Sequence, residues 1–263
     1  MLIYFIIIII SLLFLAFSAR FNFWRLPDKG IPVLMYHMVS REKPGSKINK
    51  LRVPPDKFAK QMQFLREKGY KSISSSDLIN YFETGKINID KPVLITFDDG
   101  YQDNYINAFP ILKEFGCKAI FFIVTDFISE ESLWNIEDKE RLLNWEEIKE
   151  MIKEGMEFGS HTISHPLLVN YPREKLFNEI GFSKRNLEKV LNTEIKCFSY
   201  PFGKFDEETK KVVQKCDYKA AFSTKMGKVD LNSDIYSLSR ILVRGDETLF
   251  DFYLQLTRGK NRL

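Results

Sequence analysis

Two adjacent carboxylates, Asp98 and Asp99, end the apolar run Pro92-Val93-Leu94-Ile95-Thr96-Phe97 and are followed by Gly100. Bare charges at the mouth of a buried strand are costly, so one of them must be paired, bound to a metal or raised in pKa. A solvated Asp-Asp-Gly turn is the plain alternative, because both residue types favour turns. A second constellation, His161-Thr162-Ile163-Ser164-His165, also closes a segment of strand character. Two imidazoles four positions apart can converge on one metal ion. The pair is not of the helical His-Glu-x-x-His kind, since no Glu intervenes and Pro166 disfavours helix at His165. Read alone, the two could be hydrogen-bonded surface histidines. Scarcity weighs against that: the chain has three histidines, and the third, His37, follows the apolar run Val33-Leu34-Met35-Tyr36. A third segment, Phe198-Ser199-Tyr200-Pro201-Phe202-Gly203, reads as a strand entering an aromatic-proline-glycine turn. By itself it is an ordinary strand-to-helix loop, although a backbone N–H exposed there could serve as an oxyanion donor.

These groups need elements to position them. Strand character is expected over 31–39, 93–97, 118–124, 157–161, 196–200, 220–223 and 238–243. Helical periodicity marks 55–68, 77–82, 103–115, 145–153, 173–191, 207–216 and 248–256, with Gly69, Gly116 and Gly155 as stops and Ser74–Ser76 as caps. Buried strands that alternate with amphipathic helices indicate an α/β fold with a parallel sheet, either doubly wound or closed into a barrel. No glycine-rich phosphate fingerprint follows the first strand, which disfavours nucleotide binding. In barrels of this type the active site sits at the C-terminal ends of the strands, where the carboxylates and histidines fall.

With 263 residues, 44% hydrophobic and 28% charged, the chain can bury a large α/β core and is not disordered. A net charge of +4 without a long basic run excludes a nucleic-acid groove. Residues 1–19 carry no charged side chain and, as a helix, would rise roughly 28 Å, close to a hydrocarbon core. They read as a transmembrane anchor or a signal segment; Ala16-Phe17-Ser18 fits a small-x-small cleavage pattern loosely, while a basic leading region is missing. Residues 20–30 are expected to be a linker and 31–263 the catalytic domain. Arg20 and Arg25 behind the span favour a cytoplasmic domain by the positive-inside rule. Cys117, Cys197 and Cys216 have no metal-ligand spacing and read as buried thiols, with a Cys197–Cys216 disulfide as the alternative in an oxidising compartment.

The segments Thr96-Phe97-Asp98-Asp99-Gly100, His161 to His165 and Tyr200-Pro201-Phe202-Gly203, in this order, resemble the polysaccharide deacetylase family (NodB-homology domain, carbohydrate esterase family 4) over nearly the whole chain after the linker. The resemblance implies a distorted (β/α) barrel with fewer than eight repeats. It also implies that Asp99, His161 and His165 hold a divalent metal, and that Asp98 is the base that activates water. Many family members carry Arg where this chain has Ser199, and a late histidine where this chain has none. Both departures look like the branch that deacetylates poly-N-acetylglucosamine, which has a Tyr-His pair on its first strand. Val33-Leu34-Met35-Tyr36-His37 and Ser239-Arg240-Ile241-Leu242-Val243 match that branch. Arg240 is then expected to orient Asp98, and His37 to protonate the leaving amine.

The implied reaction is hydrolysis of N-acetyl groups on an amino-sugar polysaccharide of the poly-N-acetylglucosamine, peptidoglycan or chitin type. Two histidines and a carboxylate leave positions open for substrate, with zinc the default and cobalt or nickel the alternatives. The Tyr200-Pro201-Phe202 turn is expected to bind substrate or oxyanion. Trp134 and Trp145 read as core residues rather than sugar platforms. An O-acetyl esterase using the same machinery is the rival enzyme. A membrane-anchored carbohydrate-binding pseudoenzyme is disfavoured, because each chemical role has a candidate residue. A polysaccharide substrate places the domain outside the cytoplasm, membrane-anchored or secreted, against the charge bias.

Overall fold

Short runs rich in Val, Ile, Leu and Phe lie side by side in one direction and close on themselves. In the computed structural model, which describes residues 2–20, 29–134 and 138–259, the first half contains α1 (Leu2–Arg20), β1 (Val33–Tyr36), α2 (Pro55–Glu67), β2 (Lys71–Ser72), α3 (Ser75–Thr84), β3 (Pro92–Phe97), α4 (Phe109–Phe115) and β4 (Ile120–Ile123). The second half contains α5 (Trp145–Lys153), β5 (Glu157–Ser160), α6 (Arg173–Phe177), α7 (Ser183–Leu191), β6 (Cys197–Ser199), α8 (Glu207–Lys215), β7 (Ala220–Met226), β8 (Leu238–Leu242) and α9 (Leu249–Arg258). β1 pairs in parallel with both β3 and β8, so seven strands complete a parallel barrel while β2 lies outside β3. Closure answers the edge problem of an open sheet and rules out the doubly wound alternative.

Side chains alternate across each strand. Leu94, Ile120, Phe122, Phe222 and Leu238 belong to one buried cluster, which fills the barrel. Ile95, Phe97, Phe121, Phe198 and Ile241 belong to the other, which packs beneath the helices. Rings on the outer face form a ladder across four strands or strand ends: Tyr36–Phe97 at 5.3 Å, Phe97–Phe121 at 4.6 Å and Phe121–Phe158 at 5.6 Å between centroids. This ladder lies directly below the strand ends that carry the carboxylates.

Local chemistry sets the helix ends. Ser74 with Asp77, Asn144 with Glu147 and Thr248 with Asp251 form capping boxes, each satisfying two otherwise orphaned N–H groups. Three expectations shift. The helix expected over 77–82 starts at Ser75, because Ser74 alone is the cap. β7 extends past 223 to Met226 because pairing with β8 resumes at Arg240 after an irregularity. The helices expected over 103–115 and 173–191 are each interrupted by a π-helical turn, Asn104–Ala108 and Asn178–Phe182.

The N-terminal expectation also needs correction. α1 is apolar and its side chains from 2 to 17 are exposed, yet among the described residues no helix is long and apolar enough to cross a membrane. The transmembrane reading is therefore unsupported. Most of the expected linker, 21–28, lies outside the described residues. All three cysteines are free thiols, Cys197 buried and the other two half-buried.

Candidate active site

Asp98 continues the β3 ladder, its N–H donating to Tyr36 O at 3.0 Å. Its side chain therefore points inward, as those of Thr96 and Leu94 do two and four positions earlier. There it meets Arg240 of β8, which is wholly buried. The guanidinium grips the carboxylate with two parallel bonds, Nη1 to Oδ1 at 2.7 Å and Nη2 to Oδ2 at 2.6 Å. Its other N–H groups donate to Ser223 O (2.9 Å), Thr96 Oγ1 (3.2 Å) and Ser199 Oγ (2.9 Å), so all five are engaged. Ser199 is small enough to leave that space to an arginine arriving from another strand. Burial pushes the Asp98 carboxyl up, but Arg240, His161 and His37 outweigh it and hold the group below its ordinary range, as a carboxylate.

Asp99 is sent in a different direction. Its φ of +75° and that of Gly100, +73°, are left-handed, and this turn carries the carboxylate across the barrel mouth. Asp99 Oδ1 stands 3.4 Å from His161 Nε2 and 3.3 Å from His165 Nε2. Burial raises the Asp99 pKa, yet contacts from both histidines carry it well below normal. His161 Nδ1 donates to Ser199 O at 2.7 Å, so its Nε2 is the nitrogen free to face a ligand. Thr162 and His165 both have positive φ, +73° and +60°, and Thr162 Oγ1 accepts from His165 N at 3.0 Å. His165 Nδ1 is buried without a partner among the described residues.

This donor set fits a divalent metal. All three side chains are buried, and their ligand atoms lie within 4.8 Å of one another. Two nitrogens about 3.3 Å from the carboxylate oxygen match the edge of a tetrahedron with metal–ligand bonds of about 2.0–2.1 Å. Two imidazoles and one carboxylate also leave room for a reacting molecule.

One cavity of about 330 Å³ brings these groups together, with Asp98, Asp99, His161, His165 and His37 in its wall. His37 follows β1 and is half-buried; Asn104 Nδ2 donates to its carbonyl at 2.8 Å, and its Nδ1 has no partner among the described residues. Of the expected substrate turn, only Phe202 reaches the cavity. Its φ of +58° swings the chain outward, it is half exposed, and its ring stands edge-on to His165 at 4.7 Å. Gly203 follows because a Cβ there would collide with Thr224 of β7. Tyr200 and Pro201 do not line the cavity. Tyr200 points outward, its hydroxyl donating to Tyr236 O at 2.9 Å and its ring stacking on Phe205, while Pro201 is buried beneath the turn.

Sequence reasoning missed the rest of the wall: Ile48, Leu51, Tyr101, Trp134 and Thr224. Tyr101 sits directly after Asp-Asp-Gly, a position that could have marked it; burial and the nearby Asp99 push its phenol well above the usual range. Trp134 packs on His165 at 4.6 Å between centroids and is a cavity residue, whereas Trp145 packs against the core. Ile48 and Leu51 lie in a stretch without periodicity that only folding brings to the mouth. A separate cavity of about 210 Å³, lined by Ser75, Glu157 and Lys196 among others, contains no histidine.

Residues 85–221 match the family model for polysaccharide deacetylase. The chain belongs to the polysaccharide deacetylase family. It is 33% identical over 213 residues to the YxkH protein of Bacillus subtilis (strain 168), covering 81% of this chain and 71% of that one. It is 29% identical over 211 residues to the poly-β-1,6-N-acetyl-D-glucosamine N-deacetylase of Staphylococcus aureus (strain MRSA252), covering 77% and 71%. Among solved structures, the Streptococcus pyogenes deacetylase PplD in complex with acetate superposes with a TM-score of 0.78 at 27% identity, covering 88% of this chain and 99% of that one. IcaB from Ammonifex degensii, at 22% identity, shares the fold with a TM-score of 0.74, covering 88% and 97%. As a polysaccharide deacetylase the chain is a hydrolase acting on carbon–nitrogen bonds.

Proposed function

We propose that this deacetylase hydrolyses N-acetyl groups on a poly-N-acetylglucosamine-like polymer, using a divalent metal held by Asp99, His161 and His165. The observation that carries the reading is one cavity holding an arginine-clamped carboxylate, a carboxylate facing two histidines, and a third histidine. A divalent ion at that site, zinc by default and cobalt or nickel as alternatives, supplies a Lewis acid for the acetyl carbonyl and an acidified water as nucleophile. Asp98 takes the proton from the attacking water, with Arg240 fixing the direction of its oxygens. The Phe202 N–H, presented by the left-handed turn, donates to the developing oxyanion. His37 gives a proton to the amine nitrogen as the carbon–nitrogen bond breaks, releasing acetate and a free amino sugar. The polymer assignment draws on the Tyr36-His37 pair, on Ser199 and on the relationship to the staphylococcal enzyme.

Acetate release from β-1,6-linked N-acetylglucosamine oligomers, chitin oligomers, peptidoglycan and acetylated xylan tests substrate and reaction together. The β-1,6 oligomers should react fastest, and a chelator should abolish turnover until zinc or cobalt is restored. Full activity in excess chelator would remove the metal from the reaction, and activity on xylan alone would favour the O-acetyl esterase.

Location is part of the same proposal. A polysaccharide substrate puts the catalytic domain, residues 31–263, outside the cytoplasm, and the apolar α1 is the segment that would direct it there, as cleaved signal or retained anchor. Reporters joined to the C-terminus should be active when they require export; activity only of a cytoplasmic reporter would reverse the assignment.

A further inference from the structure

The loop that carries His161 and His165 is gripped by a carboxylate outside the cavity. Glu179 lies in the π-helical turn Asn178–Phe182 between α6 and α7. Its Oε2 accepts from Ile163 N and Ser164 N, both at 3.0 Å, and its Oε1 accepts from Ser164 Oγ at 2.7 Å. The carbonyls of the same loop are held from the other side, Thr162 O by Thr125 N and Ile163 O by Asp126 N, each at 3.1 Å. Within this vice Thr162 and His165 keep left-handed backbone conformations, which persist only where the surroundings over-determine them.

The two histidines depend on the grip unequally. A ring hydrogen bond from Nδ1 to Ser199 O orients His161, and the ladder bond of its N–H to Ile123 O ties its backbone to β4. His165 Nδ1 has no hydrogen-bond partner among the described residues, and the residue stands at the far end of the loop. Its Nε2 is therefore placed by the loop backbone and by the flanking rings of Trp134 and Phe202. The π turn explains how a helical residue reaches the loop: one extra residue per turn re-aims the side chains that follow, a device common near functional sites. The other π turn, Asn104–Ala108, likewise directs Asn104 onto the carbonyl of His37.

We propose that Glu179 is a positioning residue for the metal site: it fixes Ile163 and Ser164 and thereby sets His165 Nε2 against Asp99 and His161. The inference rests on reading those three residues as the metal ligands. It is tested on the full chain by zinc competition against a chromophoric chelator, together with thermal unfolding of the metal-free proteins. Glu179→Ala should weaken zinc binding about 10–100-fold, the range found when partners of metal ligands are removed. Glu179→Gln, whose carbonyl oxygen can still accept both N–H groups, should recover most of the affinity. Both variants should unfold near the wild-type temperature when metal-free. Where the alanine variant is unstable, Glu179→Asp keeps the charge but is one methylene too short to hold both N–H groups, and it too should lose affinity. Wild-type zinc affinity in folded Glu179→Ala or Glu179→Asp, with His161→Ala unable to bind, overturns the proposal and leaves the ligands standing. Wild-type affinity in His161→Ala instead overturns the ligand assignment.

Discussion

Asp98→Asn should lower turnover on an N-acetylated oligomer by about 10²–10⁴-fold, the usual worth of a general base, with metal content unchanged. The amide matches the carboxylate in shape but cannot accept the proton of the attacking water. Metal should be retained because the two aspartates, although adjacent, point apart: Asp98 continues the inward face of β3, while the left-handed turn at Asp99 carries its carboxylate to the histidines. A second effect accompanies the first. Arg240 is wholly buried and spends two N–H groups on Asp98, so the substitution leaves a buried guanidinium without its counter-charge. Breaking such a pair from one side costs about 3–5 kcal/mol. The unfolding temperature should therefore drop clearly, and turnover must be measured below it. A folded variant with near-normal turnover would take Asp98 out of the reaction.

His37→Gln should also cut turnover by about 10²–10⁴-fold without loss of metal. The leaving amine needs a proton, and an imidazole suits that task near neutrality. His161 and His165 face Asp99 through Nε2, which leaves His37 as the one histidine of the chain outside the proposed metal cluster. It lies in the wall of the same cavity, anchored through its backbone by Asn104 rather than through its ring Nδ1. Glutamine preserves bulk and polarity while removing the acid that would supply the proton. Metal analysis separates the alternatives. Loss of metal would make His37 a ligand, and an unchanged rate would return it to a structural role.

Both aspartates and all three histidines stood out as candidates because they fall at or just after the ends of expected strands, where a parallel barrel exposes functional groups. The same logic failed at Tyr200. Its place beside Pro201 and Phe202 suggested a shared role, but strand alternation turns Tyr200 into the helix layer, and only the positive φ at Phe202 breaks that alternation. Trp134 failed for the opposite reason, since an aromatic in an aperiodic loop carries no sign of whether it faces core or cleft. Nothing in the sequence singles out Glu179, because a π turn leaves no mark in hydrophobic periodicity.

What the sequence by itself determined is local: which segments become strands or helices, and which residues stand at strand ends. Period-two and period-3.6 patterns with their caps act over a few residues, so they can be read one segment at a time. Only the tertiary structure decided that β1 pairs with both β3 and β8. That closure brings Arg240 to Asp98, 142 positions apart in the chain, and sets His37 in one cavity with Asp99, His161 and His165. It also set the loop grip of Glu179 and the cavity wall of Ile48, Leu51 and Trp134. These contacts join elements distant in sequence, and they form only when the closed barrel buries enough apolar surface to offset the entropy of ordering the loops that connect them.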